Sequence, residues 1–252
     1  MKISIIGFGQ MGQMLLKSAR ERQVEVVSIV DPFHPEATHK EICGEAMDQA
    51  DVLIAFTQPD AAIKNIQDAC LWKKNLVMAT TGWTDQMEAV KDMVEKNAIG
   101  MVYSSNFSIG VNIFFKLIEK SARIIDAFSD YDILAFEAHH NKKRDSPSGT
   151  AKTMQDILLK ELKRKNSICE DKLDRKIAPD EIHFASLRGG HIPGTHAVCY
   201  DSPFDTIELK HTARTREGFA SGSILAAEWI KDKKGLFTEK DMMDQILSSA
   251  GI

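Results

Sequence analysis

Apolar positions along the first hundred residues switch repeatedly between two periods. KISIIGFG is almost continuously apolar up to Gly7, as in a strand buried on both faces, and QMGQMLLKSARERQ then places Met11, Met14, Leu15 and Ser18 on one helical face. VEVVSIVD predicts the next strand. DVLIAFT, NLVMATT and AIGMVYSS repeat the strand pattern, with the helical stretches DAAIKNIQDACLWKK and TDQMEAVKDMVEKN between them. Strands alternating with helices of this length imply right-handed crossovers and a parallel sheet covered by helices on both faces.

The rhythm changes after Asn106. GVNIFFKLIEKSARIID predicts a long helix, and YDILAFEAHH, EIHFASLRGG, GTHAVCYD and DTIELKHTA then follow with mostly short links, which suggests a second domain built on a mixed or antiparallel sheet. Segment 163–180, KRKNSICEDKLDRKIAPD, has little apolar periodicity and reads as an exposed helix end plus loop. GFASGSILAAEWIKDKKGLF reads as a helix rich in small residues that returns to the first domain. The expected fold class is therefore α/β, a Rossmann-type parallel-sheet domain, for which the glycine motif at 7–12 and Asp31 imply dinucleotide binding, plus an α+β domain with a mixed sheet. The domains are expected at 1–106 with 217–252, and at 107–216, with hinges near Asn106-Phe107 and Glu217-Gly218.

Charge narrows the partners. A net charge of -4 argues against a protein that coats nucleic acid, so any cationic cluster must be local. Cys43, Cys70, Cys169 and Cys199 form neither a CxxC pair nor a cysteine–histidine metal spacing, which suits idle thiols in a reducing cytoplasm. The first apolar run is too quickly broken for a signal peptide, and no later run approaches a membrane span of about 20 residues. No membrane, nucleic-acid or metal partner is expected.

Gly7-Phe8-Gly9-Gln10-Met11-Gly12 fits G-x-G-x-x-G between the first strand and first helix. In that setting the first glycine permits the tight turn, the second lets a pyrophosphate approach the backbone, and the third allows close helix–strand packing. Asp31, ending the second strand, is placed to accept from the adenosine ribose, and its charge repels a 2′-phosphate; NADH is thus favoured, with NADPH as the second candidate and His34, His39 and Lys40 near enough to offset the repulsion. Other strand ends, Phe56-Thr57, Thr80-Thr81-Gly82 and Ser104-Ser105-Asn106-Phe107, should surround the cofactor, though Thr80 and Thr81 equally suit simple capping.

The other chemical signal is EAHHNKKRDSPSGTA, residues 137–151. His139 and His140 end a strand and should face opposite ways. Ser148, Gly149 and Thr150 open a helix with apolar positions Met154, Ile157, Leu158 and Leu162, so unpaired backbone N–H groups and the neighbouring cations Lys142, Lys143 and Arg144 suit a carboxylate or phosphate. From the residues alone, an anionic small molecule is gripped here while a histidine or lysine transfers a proton.

That stretch closely resembles the signature E-x-H-H-x-x-K-x-D-x-P-S-G-T-A of the dihydrodipicolinate reductase family, and GFGQMG, TTGW, SSNFSIGVN, RGGHIPGTH and HTARTREGFASGS extend the resemblance along essentially the whole chain. It implies His139 as proton donor and acceptor, Lys143 rather than Lys142 as second donor, and His140, Ser148, Gly149 and Thr150 as substrate-binding positions. It also implies nicotinamide-side cofactor loops at Ala79-Thr80-Thr81 and Ser104-Ser105-Asn106-Phe107. Ala79 stands where many members have glycine, and Pro32 where many have arginine. The implied activity is NAD(P)H-dependent reduction of a cyclic imine dicarboxylate with loss of water, on the diaminopimelate route to lysine, by a homotetramer joined through its substrate-domain sheets. Two other readings are weighed: another nicotinamide-dependent reductase of an amino-acid-derived substrate, which would not require this loop, and a non-catalytic NAD(H)-binding regulator, against which the retained His139 and Lys143 argue.

Overall fold

A computed structural model describes residues 1–251 of the chain. In chain order its main elements are β1 (Lys2–Ile6), α1 (Gln10–Glu21), β2 (Glu25–Val30), α2 (Gly44–Met47), β3 (Val52–Ala55), α3 (Ala62–Leu71), β4 (Asn75–Met78), α4 (Met87–Asn97), β5 (Gly100–Tyr103), α5 (Ile109–Asp126), β6 (Asp132–His139), α6 (Gly149–Glu161), β7 (Ser167–Cys169), β8 (Glu181–Arg188), β9 (Thr195–Asp201), β10 (Thr206–Thr212), α7 (Glu217–Ile230), β11 (Gly235–Thr238) and α8 (Glu239–Ser249). They form two compact units, Met1–Ile109 with the chain from Glu217 on, and Gly110–Arg216. Residues 107–109 thus group with the first unit.

The first unit carries a six-stranded parallel sheet in the order β11-β5-β4-β3-β1-β2. Its strands bury both faces: Ile3, Ile5, Val52, Ile54 and Val102 pack with α1, α7 and α8 residues such as Leu15, Ile224 and Met242, while Ile6, Leu53, Ala55, Leu76 and Met101 pack with Ile66 and Val94 of α3 and α4. This period-two division over two helical layers is why the strands read as continuous apolar runs. Helix α7 crowds the chain before α5; a Cβ on Gly222 would lie 1.7 Å from the Phe107 carbonyl oxygen.

The C-terminal segment corrects one expectation. The stretch read as one helix to residue 237 is helical only to Ile230, and its end forms β11 beside β5. The buried Asn75 amide donates to the carbonyls of Ile230 and Lys231, at 2.8 and 2.7 Å, and so satisfies acceptors that the helix end leaves open. Lys231-Asp232-Lys233-Lys234 has no apolar position to bury, and Gly235, at φ +110°, turns the chain into the strand. Helix α8 begins with a capping box between Thr238 and Asp241.

The second unit is a mixed sheet ordered β10-β9-β6-β8-β7, in which β6 runs parallel to β8 and antiparallel to β9. Ile133, Ala135, Phe184, Val198 and Tyr200 pack beneath α5 and α6 through Phe114, Ile118, Met154 and Leu158. Segment 163–180, expected to lack strands, contributes the short edge strand β7, too short for period two to register.

Candidate active site

In the first unit the glycine loop shows three distinct demands. Gly7 has φ +89°, and a Cβ there would meet the Phe56 carbonyl oxygen at 2.2 Å; a Cβ on Gly12 would meet the Gly7 carbonyl oxygen at 2.2 Å. Gly9 is exposed, with nothing within 4 Å of where a Cβ would stand, just ahead of the α1 N-terminus. A turn, an open approach and a close contact are what the pyrophosphate of a dinucleotide requires of such a loop. Phe8 puts its ring in the core, Met11 is half-buried and Gln10 is exposed.

Asp31 lies beside this loop. Its Oδ2 accepts from the Phe8 N–H at 2.8 Å, and its Oδ1 from the N–H groups of Phe33 and His34, both at 2.9 Å. Burial works against ionisation, but these N–H groups and His34 outweigh it and lower the carboxyl pKa. With roughly four acceptor directions on a carboxylate, Oδ2 retains one that no N–H group takes. His34 sets its ring edge-on to Phe8 at 4.9 Å, beside the Gln13 amide, and Lys40 donates to the His34 carbonyl; Phe33 is almost wholly exposed.

The strand ends that follow are tied to one another. Thr80 is buried, and its hydroxyl accepts from the Thr57 N–H at 2.9 Å, so it links the ends of β3 and β4 rather than capping a helix. Thr80, Thr81, Ser104 and Ser105 line a cavity of about 490 Å³ with Trp83, Tyr103 and Glu239. Burial raises the pKa of Glu239, which hydrogen-bonds to Ser104. Ala79, Asn106 and Phe107 are not in that lining; Ala79 packs against the core, Phe107 lies within it, and Asn106 Oδ1 accepts from the Ser108 N–H. Tyr103 lies in the expected strand AIGMVYSS but carries no motif to mark it, and Glu239 opens α8 behind β11, neither of which the apolar pattern announces.

In the second unit the sheet register assembles a buried polar cluster. Glu137 stands directly across from Ser186 on β8 and His196 on β9, and His139, two residues on and therefore on the same face, stands across from Arg188. Glu137, His139 and His196 are all buried. Glu137 Oε1 accepts from the Ser148 N–H at 3.0 Å, the Ser186 hydroxyl at 3.0 Å and the Arg188 guanidinium at 2.8 Å. Its Oε2 faces His139 Nδ1 at 3.3 Å and His196 Nε2 at 3.6 Å. Neither Oε2 nor His139 Nδ1 has a well-aligned hydrogen bond within the described residues, so the two are each other's nearest complement.

Charge follows from these contacts. Burial opposes ionisation of Glu137, but His196, Ser148 and Arg188 prevail and hold its carboxyl well below the usual range. Burial pushes His139 down to about 4 against the attraction of Glu137, with His196, Lys143 and Arg188 adding to the fall. Glu137, His139 and His196 offer metal-ligating atoms within 4.8 Å of one another. The Arg188 guanidinium, however, already supplies the positive charge this carboxylate needs, so the cluster reads as a hydrogen-bonded one.

The loop beyond His139 brings the remaining positions close. Ser148 caps α6, its hydroxyl accepting from the Ala151 N–H at 3.2 Å and lying 3.3 Å from His196 Nε2. Gly149 opens the helix, exposed and with no neighbour within 4 Å of a would-be Cβ, and Thr150 follows half-buried. Lys143 is paired with Asp145 at 2.8 Å, while Lys142 and Arg144 are exposed. His140 is half-buried, and its Nδ1 accepts from the Lys142 N–H at 3.2 Å. A Cβ on Gly194 would stand 3.1 Å from His139 Nε2, so the absence of a side chain there leaves that nitrogen room. The geometry thus offers an imidazole with one nitrogen backed by a carboxylate and the other open, on the same unit as a helix start fit for an anion.

Residues 1–107 match the family model described as dihydrodipicolinate reductase, N-terminus, and residues 110–243 match its C-terminus. The 4-hydroxy-tetrahydrodipicolinate reductase of Christiangramia forsetii is 36% identical over 249 residues, covering 99% of this chain and 100% of that protein. The protein of the same name from Methanoregula boonei is 38% identical, over 96% of this chain and 97% of its own. Among solved structures, dipicolinate-bound dihydrodipicolinate reductase from Paenisporosarcina sp. TG-14 superposes with a TM-score of 0.78 at 20% identity, covering 94% of this chain and 97% of that one. A probable dehydrogenase from Thermotoga maritima shares the fold more distantly, with a TM-score of 0.58 at 9% identity over 90% of this chain and 88% of its own.

Proposed function

The chain belongs to the dihydrodipicolinate reductase family, and on that premise we propose how its residues divide the work. The enzyme is an oxidoreductase that uses a nicotinamide dinucleotide to reduce 4-hydroxy-tetrahydrodipicolinate to tetrahydrodipicolinate, with loss of water, in lysine biosynthesis through diaminopimelate. When bound, the cofactor supplies the hydride that adds to C4 of the ring. Gly7, Gly9 and Gly12 with Phe8, Gln10 and Met11 bind its pyrophosphate segment, Asp31 its adenosine ribose, and Ala79-Thr80-Thr81 with Ser104-Ser105-Asn106-Phe107 its nicotinamide side. NADH is the preferred form: the Asp31 carboxylate is held ionised by three N–H donors, and a 2′-phosphate beside it meets a full negative charge.

On the substrate side, the two ring carboxylates fall to the Ser148-Gly149-Thr150 helix start, His140 and Lys143, whose ion pair with Asp145 exchanges for one with substrate. Departure of the 4-hydroxyl as water leaves a conjugated imine, and hydride addition at C4 turns it into an enamine. A proton must then reach the adjacent ring carbon, and His139 delivers it from Nε2, with Lys143 as second donor. The two negative charges of the substrate favour the imidazolium that burial alone disfavours.

The observation that carries this reading is His139 itself: buried, backed by Glu137 and left open at Nε2 by Gly194. Following NADH absorbance with freshly prepared 4-hydroxy-tetrahydrodipicolinate tests it, and consumption no faster than without protein, with either nucleotide, overturns it. His139→Ala should lower kcat by roughly 10²–10⁴-fold. A homotetramer formed through the sheet of Gly110–Arg216 is supported by the face opposite α5 and α6, where Leu134 and Leu187 are 45% and 55% exposed. Four free cysteines suit the cytoplasm, and no helix among the described residues is long and apolar enough to cross a membrane.

A further inference from the structure

We infer that Glu137 is a positioning residue that couples the proton donor to the anion grip, holding His139 by its Nδ1 and the start of α6 by the Ser148 N–H; this rests on the assignment of His139 as the proton donor. The two oxygens divide these tasks. Oε1 is fully engaged by the Ser148 N–H, the Ser186 hydroxyl and Arg188, which hold the carboxylate in place and join it to the helix that receives the substrate. Oε2 is left to His139 Nδ1 at 3.3 Å, with His196 Nε2 at 3.6 Å.

A carboxylate at Nδ1 selects the tautomer that keeps a hydrogen there, so proton gain and loss are confined to Nε2, the nitrogen that Gly194 leaves open. In the donating step the Nε2–H bond breaks, a C–H bond forms on the ring carbon, and the imidazolium becomes neutral while Nδ1–H stays directed at Glu137. The titratable and charged groups around His139 on the neighbouring elements are Glu137 on β6, Arg188 on β8, His196 on β9, and Lys143 with Asp145 on the loop; Glu137 alone among them both attracts a proton to His139 and lies against its ring. The carboxylate also faces five partners, Ser148, Ser186, Arg188, His139 and His196, from three strands and a helix start, so one displacement would move donor and grip together.

Glu137→Gln separates these tasks. Its amide oxygen can still accept from Ser148, Ser186 and Arg188, while its NH₂ turned to His139 makes Nδ1 an acceptor and moves the ring hydrogen to Nε2. Expected are a kcat lower by ~100-fold or more and a changed pH profile of kcat/KM, with KM and the calorimetric Kd for dipicolinate within about threefold of wild type. Turnover within about threefold of wild type, or a kcat that falls only in step with dipicolinate affinity and folded fraction, overturns the positioning role. If the single variant fails to fold because Arg188 loses its counterion, Glu137→Gln with Arg188→Gln removes that charge, and the same two outcomes apply. A readout without turnover keeps this claim separate from the functional one: hydrogen–deuterium exchange at the His139 Cε1, followed by mass spectrometry. Its pH midpoint should fall in the variant, and coincident profiles overturn the inference even for a protein inactive toward the substrate.

Discussion

Acidification should unfold this protein earlier than its carboxylates alone would dictate, because His139 is buried in its neutral form. The imidazole titrates near 6.5 in an unfolded chain and is pushed down to about 4 in the fold, chiefly by burial. Above its unfolded value the residue is neutral in both states and stability does not depend on pH through it. Between the two values the unfolded chain takes up the proton first, so stability falls with falling pH. Integrated over the whole shift, the loss is about 3 kcal/mol, of which about 2 kcal/mol is lost by roughly pH 5. Glu137, its pKa depressed, acts in the same direction but lower, below the unfolded carboxylate range, so a measurement that stops near pH 5 isolates the histidine. Urea titrations followed by circular dichroism at about pH 7.5 and about pH 5, at one protomer concentration, give the unfolding free energies. Wild type should lose about 2 kcal/mol more over this interval than His139→Gln, since His211 and the remaining histidines are common to both. Parallel losses in the two proteins would show that His139 is not held neutral by the fold.

Lys143→Ala should impair both turnover and substrate affinity, and unchanged kcat and KM in steady-state assays would return Lys143 to a surface partner of Asp145. Gly194→Ala should reduce kcat/KM by about tenfold without a comparable loss of stability, because the new methyl group would stand 3.1 Å from His139 Nε2; full activity in a folded variant would place the reacting nitrogen elsewhere. Steady-state assays with each nucleotide should give a higher kcat/KM with NADH, and preference for NADPH would mean that His34 or Lys40 outweighs Asp31. Light scattering should report a tetramer; a monomer would leave the open sheet face of Leu134 and Leu187 without its partner.

The parallel sheet was legible because strands buried on both faces and helices buried on one leave different periods, and β1 to β5 carry them cleanly. The glycine loop was legible for a related reason: each of its three glycines meets a separate steric demand, visible as spacing before any contact is known. Where apolar pattern ran out, so did the reading. β7 has three residues, all half-buried, and β11 follows a charged run whose fate depends on Asn75, more than 150 residues earlier.

The candidate site divides along the same line. His139, Lys143 and the Ser148-Gly149-Thr150 start are neighbours in sequence, so a local motif and the helix-end argument could gather them. Glu137 lies only two residues before His139, and period two does put both side chains on one face of β6. What gives that carboxylate its role, however, is pairing register: Ser186 and Arg188 arrive on β8, and His196 on β9, 49 to 59 residues away. A one-residue slip of either strand would turn those partners to the other face and leave a buried carboxylate facing uncompensated surroundings. The register is specified by the apolar pairs just upstream, Ala135 beside Phe184 and Val198, and Ile133 beside Tyr200, all packed under α5 and α6. The hydrophobic core of this unit therefore does more than stabilise it: the packing that aligns Phe184, Val198 and Tyr200 also brings Arg188 and His196 against Glu137, and through it places a carboxylate at His139 Nδ1, the contact on which the proposed proton transfer from Nε2 rests.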